Sequence, residues 1–392
     1  MGKKIILTVI AVILFASVNV SGIITSKASQ TLVNRQIAIP YDVPQIQQDF
    51  GKKDTKSFSC PSYPKPIKNL ILPSYYKSDD ETKSQVNSKK YEQHQEMRAP
   101  LRNFENTLLK MTNRYVASNP ARIDIAKCAQ NWLYSWAKKD ALLGKTNKTG
   151  EHLQKWTLSV VANAYYQIKN DNSLSTHKNK KIEKWLKKYA YSVKETYSQN
   201  TQLNSRQNNH LYWAAWAVGF TGALLEDKSL FDWGVSKALY GVYQIQPNGV
   251  LPLELDRGSR AVNYHVFAAH PLVMMAELAR INDAVNLYAE NNKALEKLVN
   301  LSVQGVFNPK FFEKQTGLSQ EVELLRNGSA LAWLSVYKRY RTTKPVNDLI
   351  QAHKPMKQTR TGGNISLLYS GLPQKLDRIQ PVEQNMPFFT ND

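Results

Sequence analysis

The chain of 392 residues has 52 Lys and Arg against 31 Asp and Glu, a formal net charge of +21, 42% hydrophobic residues and two cysteines. This composition excludes collagen-like, disordered and disulfide-framework proteins and predicts a globular protein with a sizeable core. The positive charge indicates a polyanionic partner, which could be nucleic acid, an acidic membrane surface or an acidic polysaccharide.

The N-terminus has the pattern of a secretory signal peptide. Lys3 and Lys4 precede an apolar run over residues 5–16, and small or polar residues follow. The run is shorter than the roughly 20 apolar residues that span a bilayer. We therefore predict that residues 1–22 are a signal peptide, cleaved somewhere in the range 21–29, and that no stable membrane anchor remains. Export also argues against nucleic acid as the ligand.

Residues 23–98 lack a regular pattern, because six prolines interrupt them and residues 77–92 are almost entirely polar. This irregular segment is either an exposed linker or a lid or binding loop. It contains Cys60. In the oxidising environment that export implies, we expect Cys60 to form a disulfide with Cys128.

From residue 99 onward the apolar residues recur at helical spacing, and strand signals are nearly absent. Short links predict antiparallel helix pairs, with Ser229 capping one helix, and no repeat of fixed period is present. We expect most of the eight tryptophans to lie in the core. The predicted helical segments are 128–143, 156–168, 182–195, 211–225, 230–245, 265–280 and 293–306.

Two segments depart from ordinary amphipathic helices. In residues 207–213 (QNNHLYW), two carboxamides and an imidazole open an apolar helix. Either Asn209 is only the helix N-cap and His210 a first-turn residue, or both are functional donors. In the second segment Arg257 and Arg260 precede another helix. They either pair with Glu254 and Asp256 as a surface network or act on a ligand.

The same segments resemble the alginate lyases of polysaccharide lyase family 5. The resemblance rests on NNHxYWAAW from residue 208, FDW from 231, GxLPxELxRxxRAxxYH over 249–265 and PLxMMAxxAR over 271–280. Further matches are SCP at Cys60, LPSxY at 72–76, ALLG at 141–144, NxTG…KW at 147–156 and RxGG at 360–363.

The resemblance implies an all-α fold, an incomplete (α/α) toroid with a central cleft and an N-terminal lid loop. It implies a periplasmic enzyme with a catalytic domain over 99–370, a C-terminal tail over 371–392, and alginate or polymannuronate as substrate. We expect a monomer that needs no metal or other cofactor. The alternatives are a lyase acting on another polyuronate, such as a glucuronan, and a non-catalytic polyanion-binding protein of exopolysaccharide export.

The resemblance also assigns a catalytic set that fits the chemistry of β-elimination. Removing the weakly acidic C5 proton of a uronate requires donors that neutralise the adjacent carboxylate, a base for C5 and an acid for the leaving O4. Asn209, His210 and Arg257 are the expected donors, and Tyr264 is the expected base and acid. In guluronate, C5–H and O4 lie on opposite sides of the ring, so a second base, His210, would be needed and activity should be weaker.

Other residues are expected to bind substrate, and one lid position departs from the family. The lid motif PSKY reads Pro73-Ser74-Tyr75-Tyr76 here, so Tyr75 replaces a lysine that is expected to touch substrate. His265 is expected to pack or to support the site. The substrate-binding candidates are Tyr76, Lys155, Trp156, Tyr212, Arg260 and Arg360.

Overall fold

Helices make up most of the structure, a computed structural model that describes residues 36–80 and 85–371. The predicted signal peptide and residues 372–392 of the predicted tail lie outside these ranges. No helix within them is both long and apolar enough to cross a membrane.

The helices enclose an incomplete (α/α) toroid. Six of the seven predicted helical segments are confirmed to within a few residues, and the helix predicted over 128–143 ends at Lys138. The only regular strands among the described residues are the two-residue antiparallel pair β1 (Lys357–Gln358) and β2 (Gly363–Asn364). The helices are α1 Val43–Phe50, α2 Ser88–Val116, α3 Ile123–Lys138, α4 Lys148–Tyr166, α5 Thr176–Ser198, α6 Asn209–Leu224, α7 Lys228–Tyr243, α8 Pro252–Leu255, α9 Ala261–Ile281, α10 Glu290–Phe307, α11 Lys310–Thr316, α12 Leu334–Tyr337, α13 Lys344–His353 and α14 Ile365–Leu368.

Two further predictions about helix limits are wrong. Residues 23–98 are not irregular throughout, because α1 lies within them and α2 begins at Ser88. Pro44 is tolerated in the first turn of α1, where a proline costs no helical hydrogen bond. The cap of α7 is Asp227 rather than Ser229, since the Asp227 side chain accepts a hydrogen bond from the Leu230 N–H.

Helix α6 lies at the centre of the fold. Every residue of α6 except His210 is buried, and the helix contacts α4, α5, α7 and α9. Its approach to α7 depends on two glycines. A Cβ atom on Gly234 would lie only 2.5 Å from the Cα of Gly219, so the two backbones meet at a distance that no larger residue permits. A helix apolar on all sides is the pattern expected of a core element.

An extended segment, residues 51–76, crosses α3 and the loop that follows it. The indole Nε1 atoms of Trp132 and Trp136 donate to the carbonyls of Pro61 and Pro64 at 3.1 and 3.3 Å. The disulfide between Cys60 and Cys128 joins the segment to α3, with the two Cα atoms 5.7 Å apart.

The end of this extended segment is fixed against the start of α4. The Leu70 N–H donates to the carbonyl of Lys145 at 2.9 Å, and Asn147 donates through Nδ2 to the carbonyl of Leu72 at 2.8 Å. A Cβ atom on Gly150 would lie 1.7 Å from the Leu70 carbonyl oxygen, which explains the glycine of the NxTG motif. These contacts bring the following residues, Tyr75 and Tyr76, to the cleft.

Candidate active site

Tyr264 lies in the first turn of α9, between a guanidinium and another phenol. The Cζ atom of Arg257 is 3.7 Å from the centroid of the Tyr264 ring, and the Tyr76 hydroxyl is 3.1 Å from the Tyr264 hydroxyl. Burial raises the pKa of Tyr264, while Arg257 and the hydrogen bond from Tyr76 lower it. Burial and the neighbouring Tyr264 raise the pKa of Tyr76 to about 12. Tyr76 therefore stays protonated and can donate to a Tyr264 phenolate.

His210 opens α6 and stacks on a second histidine. Its N–H is capped by the Asn208 side chain at 3.1 Å, so Asn208, and not Asn209, is the N-cap. The rings of His210 and His152 lie parallel, with centroids 3.7 Å apart, and Lys155 Nζ lies 3.1 Å from His210 Nδ1. Burial, then His152 and Lys155, hold the pKa of His210 well below its usual value, so the imidazole is neutral.

Asn209 faces a buried carboxylate. Its backbone N–H donates to Glu254 Oε1 at 2.8 Å, and its Nδ2 lies 3.0 Å from each oxygen of that carboxylate. Both side chains are buried. Asn209 therefore holds the start of α6 against α8. Glu254 is buried, so it is not the surface partner of an arginine that the sequence allowed. Burial raises the pKa of Glu254 to about 7.

Arg257 connects these groups electrostatically. Its charge lowers the pKa values of Tyr264, His210 and Glu254. One guanidinium thus acts on the phenol, the imidazole and the buried carboxylate together. The structure brings all four predicted catalytic residues to the same end of α6 and α9.

Arg360 adds a second cation, which is stacked on aromatic rings. Its Cζ atom is 4.2 Å from the ring centroid of Trp156, 5.4 Å from that of Phe267 and 5.6 Å from that of Trp213. The Arg360 carbonyl accepts hydrogen bonds from Ser159 Oγ and, at 3.4 Å, from Trp216 Nε1. Burial lowers the pKa of Arg360 to about 10, so the guanidinium remains charged at neutral pH.

The chain is similar to proteins of known family. The alginate lyase family model matches residues 72–312. An alginate lyase of Pseudomonas fluorescens strain SBW25 is 34% identical over 325 residues, which cover 81% of this chain and 85% of that protein. An alginate lyase of Cobetia marina is 33% identical over 352 residues, covering 87% and 92%.

The chain belongs to the alginate lyase family. Among solved structures, a tyrosine-to-phenylalanine variant of alginate lyase A1-III, a protein of Sphingomonas species A1, superposes with a TM-score of 0.75 at 25% identity. The match covers 88% of this chain and 98% of that one, and that structure holds a tetrasaccharide.

Two predicted substrate contacts of this family member are buried, and a third, Arg260, is engaged in an ion pair. Tyr212 is only 1% exposed, and its hydroxyl donates to Gln244 at 2.8 Å, so it packs between α6 and α7. Lys155 is fully buried behind His210. Arg260 pairs with Glu321 at 2.9 Å near the rim. Because Tyr212 and Lys155 are buried, neither side chain can contact the substrate directly.

The lid position that departs from the family is filled by an aromatic group. The ring of Tyr75 lies 4.5 Å from that of Tyr76, 5.6 Å from that of Tyr91 and 5.0 Å from that of His94, measured between centroids. Its hydroxyl is 3.3 Å from the Tyr76 hydroxyl. Tyr75 thus supports Tyr76 by packing, where a lysine would supply a charge.

His265 supports the site, as expected. Its Nδ1 donates to the Ala261 carbonyl at 2.8 Å, and its Nε2 accepts the Leu251 N–H at 3.0 Å. These bonds fix the turn before α8.

Within residues 36–80 and 85–371, no group of three or more His, Cys, Asp or Glu side chains is arranged to hold a metal ion.

Sequence reasoning missed four residues of the site: His152, Glu254, Arg206 and Glu151. Arg206 is buried, pairs with Glu151 at 2.7 Å and lies 4.4 Å from the Tyr197 ring centroid. Glu151 and His152 lie on α4, whereas Arg206 and Glu254 come from two other elements, so no local motif joins all four. The only signal in the sequence was His152, which lies three residues before Lys155.

Proposed function

We propose that this chain is an alginate lyase that cleaves 4-linked β-D-mannuronate by β-elimination, leaving a 4-deoxy-hex-4-enuronosyl group at the new non-reducing end. Membership of the family supports alginate as the substrate. The observation that carries the mechanism is the Tyr264 hydroxyl, which lies beside Arg257 and is hydrogen-bonded to Tyr76. The signal-like residues 1–22 support a periplasmic location.

The first requirement is to neutralise the uronate carboxylate. While this group keeps its full charge, the C5 proton is only weakly acidic, and the intermediate formed by losing it is enolate-like. Fixed donors in a cleft with little water stabilise that charge better than water does. Arg257 supplies a guanidinium, and His210 supplies one N–H from a neutral ring.

Tyr264 then acts as both base and acid. The phenolate takes the proton from C5, the C5–H electron pair forms the C4=C5 double bond, and the C4–O4 bond breaks. The leaving O4 takes the proton back from the same hydroxyl. In mannuronate C5–H and O4 lie on one side of the ring, so one residue can serve both transfers. Arg257 and Tyr76 favour the phenolate that begins this cycle.

Asn209 has a positioning role in this proposal. Its bonds to Glu254 hold the first turn of α6, and with it the ring of His210. Arg360 and Trp156 form the binding surface, where a cation stacked on an aromatic face suits an anionic sugar. The wider positive charge of the chain attracts the polymer, and added salt should weaken this attraction.

The test is to incubate the purified mature protein with polymannuronate, polyguluronate and a glucuronan and to follow the ultraviolet absorbance of the new C4=C5 bond. We expect the fastest rise with polymannuronate and a much slower one with polyguluronate. If the glucuronan is cleaved fastest, a glucuronan replaces polymannuronate as the assigned substrate. Binding to an alginate column without any unsaturated product would refute catalysis.

A further inference from the structure

The amino group of Lys155 lies beside a ring nitrogen, a carbonyl oxygen and two aromatic rings, and the charges of Arg206 and Arg360 also act on it. Lys155 is 0% exposed, on α4. Its Nζ lies 3.1 Å from His210 Nδ1 and 3.4 Å from the His152 carbonyl oxygen. It also lies 4.4 Å from the ring centroid of Trp156 and 5.1 Å from that of Tyr197. Two lone-pair acceptors and two aromatic faces are the partners that an amine donor requires in a buried site.

This contact decides which nitrogen of His210 carries the proton. Burial, then the charges of Arg360 and Arg206, lower the pKa of Lys155 well below its usual value, and even the neutral amine keeps two hydrogens, one for the His152 carbonyl and one for His210 Nδ1. With Nζ as the donor, Nδ1 accepts and the single hydrogen of the neutral ring is on Nε2. His210 is the one residue of α6 that is not buried, whereas Lys155 on its Nδ1 side is completely buried. The Nε2 edge is therefore the edge that can face the cleft.

The groups around the imidazole also oppose a second proton. Facing it are His152 and Lys155 of α4, Arg206 of the 3₁₀ turn Asn204–Arg206, and Arg257 after α8. Glu151, the nearby carboxylate on α4, pairs with Arg206 at 2.7 Å. A cationic His210 would be buried beside Lys155 and would meet the guanidinium charges of Arg206 and Arg257, so the ring keeps one proton.

We propose, on the basis of the lyase function proposed above, that Lys155 is a positioning residue that holds His210 as the neutral Nε2–H tautomer. His210 is then a fixed donor to the uronate carboxylate and has no free basic nitrogen in the cleft. The expectation that His210 serves as a second base for guluronate is replaced by this assignment. Lys155 thereby contributes to the preference for mannuronate without touching the sugar.

The tautomer can be measured without any activity assay. In protein labelled with ¹⁵N-histidine, long-range proton–nitrogen correlation spectra distinguish protonated from unprotonated ring nitrogens, and a His210→Gln variant assigns the signals. We expect Nδ1 of His210 to be unprotonated and the ring not to titrate between pH 5 and 8 on these spectra. A protonated Nδ1, or titration near the usual value of about 6.5, would overturn the proposal.

The kinetic test is Lys155→Met, which keeps the length and apolar body of the side chain but cannot donate. The matched control is Lys148→Met, the same change at an exposed position on the same helix. With polymannuronate we expect kcat of Lys155→Met to fall roughly 10²-fold, the scale for a lost oriented donor, with KM changed less than about threefold. Its His210 should show mixed tautomers, and the control should match the wild type.

The outcomes separate this inference from the proposed function. If the wild type does not cleave polymannuronate, the function is wrong, and the tautomer measurement still tests the role of Lys155. If the wild type cleaves and Lys155→Met keeps its kcat and its Nε2–H tautomer, Lys155 does not position His210. If Lys155→Met fails to fold, the wild-type spectrum alone decides.

Discussion

The guanidinium of Arg257 lies against the face of the Tyr264 ring, with 3.7 Å between Cζ and the ring centroid. The acidity of the Tyr264 hydroxyl therefore depends on a side chain seven residues earlier in the chain. This spacing is set by α8, the turn Gly258–Arg260 and the first turn of α9. In the proposed mechanism Arg257 thus acts on the Tyr264 base and on the substrate carboxylate together.

Removing the charge of Arg257 should move the pH dependence of the reaction. Arg257 lowers the pKa of Tyr264, so in Arg257→Gln that pKa rises and the increase of kcat/KM with pH should shift upward by about one unit or more. At pH 7 the rate should also fall by roughly 10² to 10³, because a donor to the developing charge is lost. The pH–rate profile is the measurement, with Arg326→Gln at an exposed ion pair as the control. An unshifted profile would show that Arg257 does not tune Tyr264.

Tyr264→Phe should abolish nearly all production of the unsaturated end group. Loss of a residue that serves as base and acid typically costs about 10² to 10⁴ in rate. Binding of polymannuronate should persist, measured by affinity electrophoresis. Tyr212→Phe is the matched control, since that hydroxyl bonds Gln244 away from the cleft. It should keep the wild-type rate and lose about 1 kcal/mol of stability. Equal activity in both variants would remove Tyr264 from the mechanism.

Glu254 should make the stability of the protein depend on pH. Burial raises its pKa from 4.5 to about 7, so between these values the folded protein holds a proton that the unfolded chain releases. The contribution is complete below pH 4.5, and the free energy of unfolding should fall by up to about 3 kcal/mol as the pH rises to 7. Denaturant unfolding at several pH values measures this. Glu254→Gln should flatten the dependence, and exposed Glu323→Gln should leave it unchanged.

The disulfide should contribute to stability far more than to catalysis. Cys60 and Cys128 are 68 residues apart, and closing a loop of that length in the unfolded chain is worth about 4 kcal/mol. We expect a Cys60→Ser/Cys128→Ser variant to lose stability of that order in denaturant unfolding. Its activity well below the melting temperature should be retained, because Leu70 still bonds Lys145 nearer the cleft. A large loss of kcat with intact folding would contradict this.

The sequence predicted the helices well because their burial is periodic. Trp132 and Trp136 recur at helical spacing on α3 and pack inward as expected. The orientation of side chains on α6 was not predictable, because a helix buried on all sides has no polar face to orient it. Tyr212 was therefore misplaced toward the substrate.

The buried polar residues were the harder part of the site. A lysine is rarely fully buried without a partner, so Lys155 was expected at the cleft surface. Its partner, His210, comes from a different helix. Glu254 looked like a surface partner for Arg257, and only the packing of α8 against the start of α6 directs it to Asn209. The spacing of residues along the chain does not reveal these contacts between helices.

Arg360, on the short turn between β1 and β2, completes the aromatic wall of the cleft from a position near the end of the described chain. Tyr76, at the opposite edge, comes from the first fifth of the chain. During synthesis the N-terminal part emerges first, and the cleft lacks its Arg360 cation until this late turn has docked on Ser159 and Trp216. Because Arg360 is synthesised late, the complete binding surface forms only after the toroid has closed.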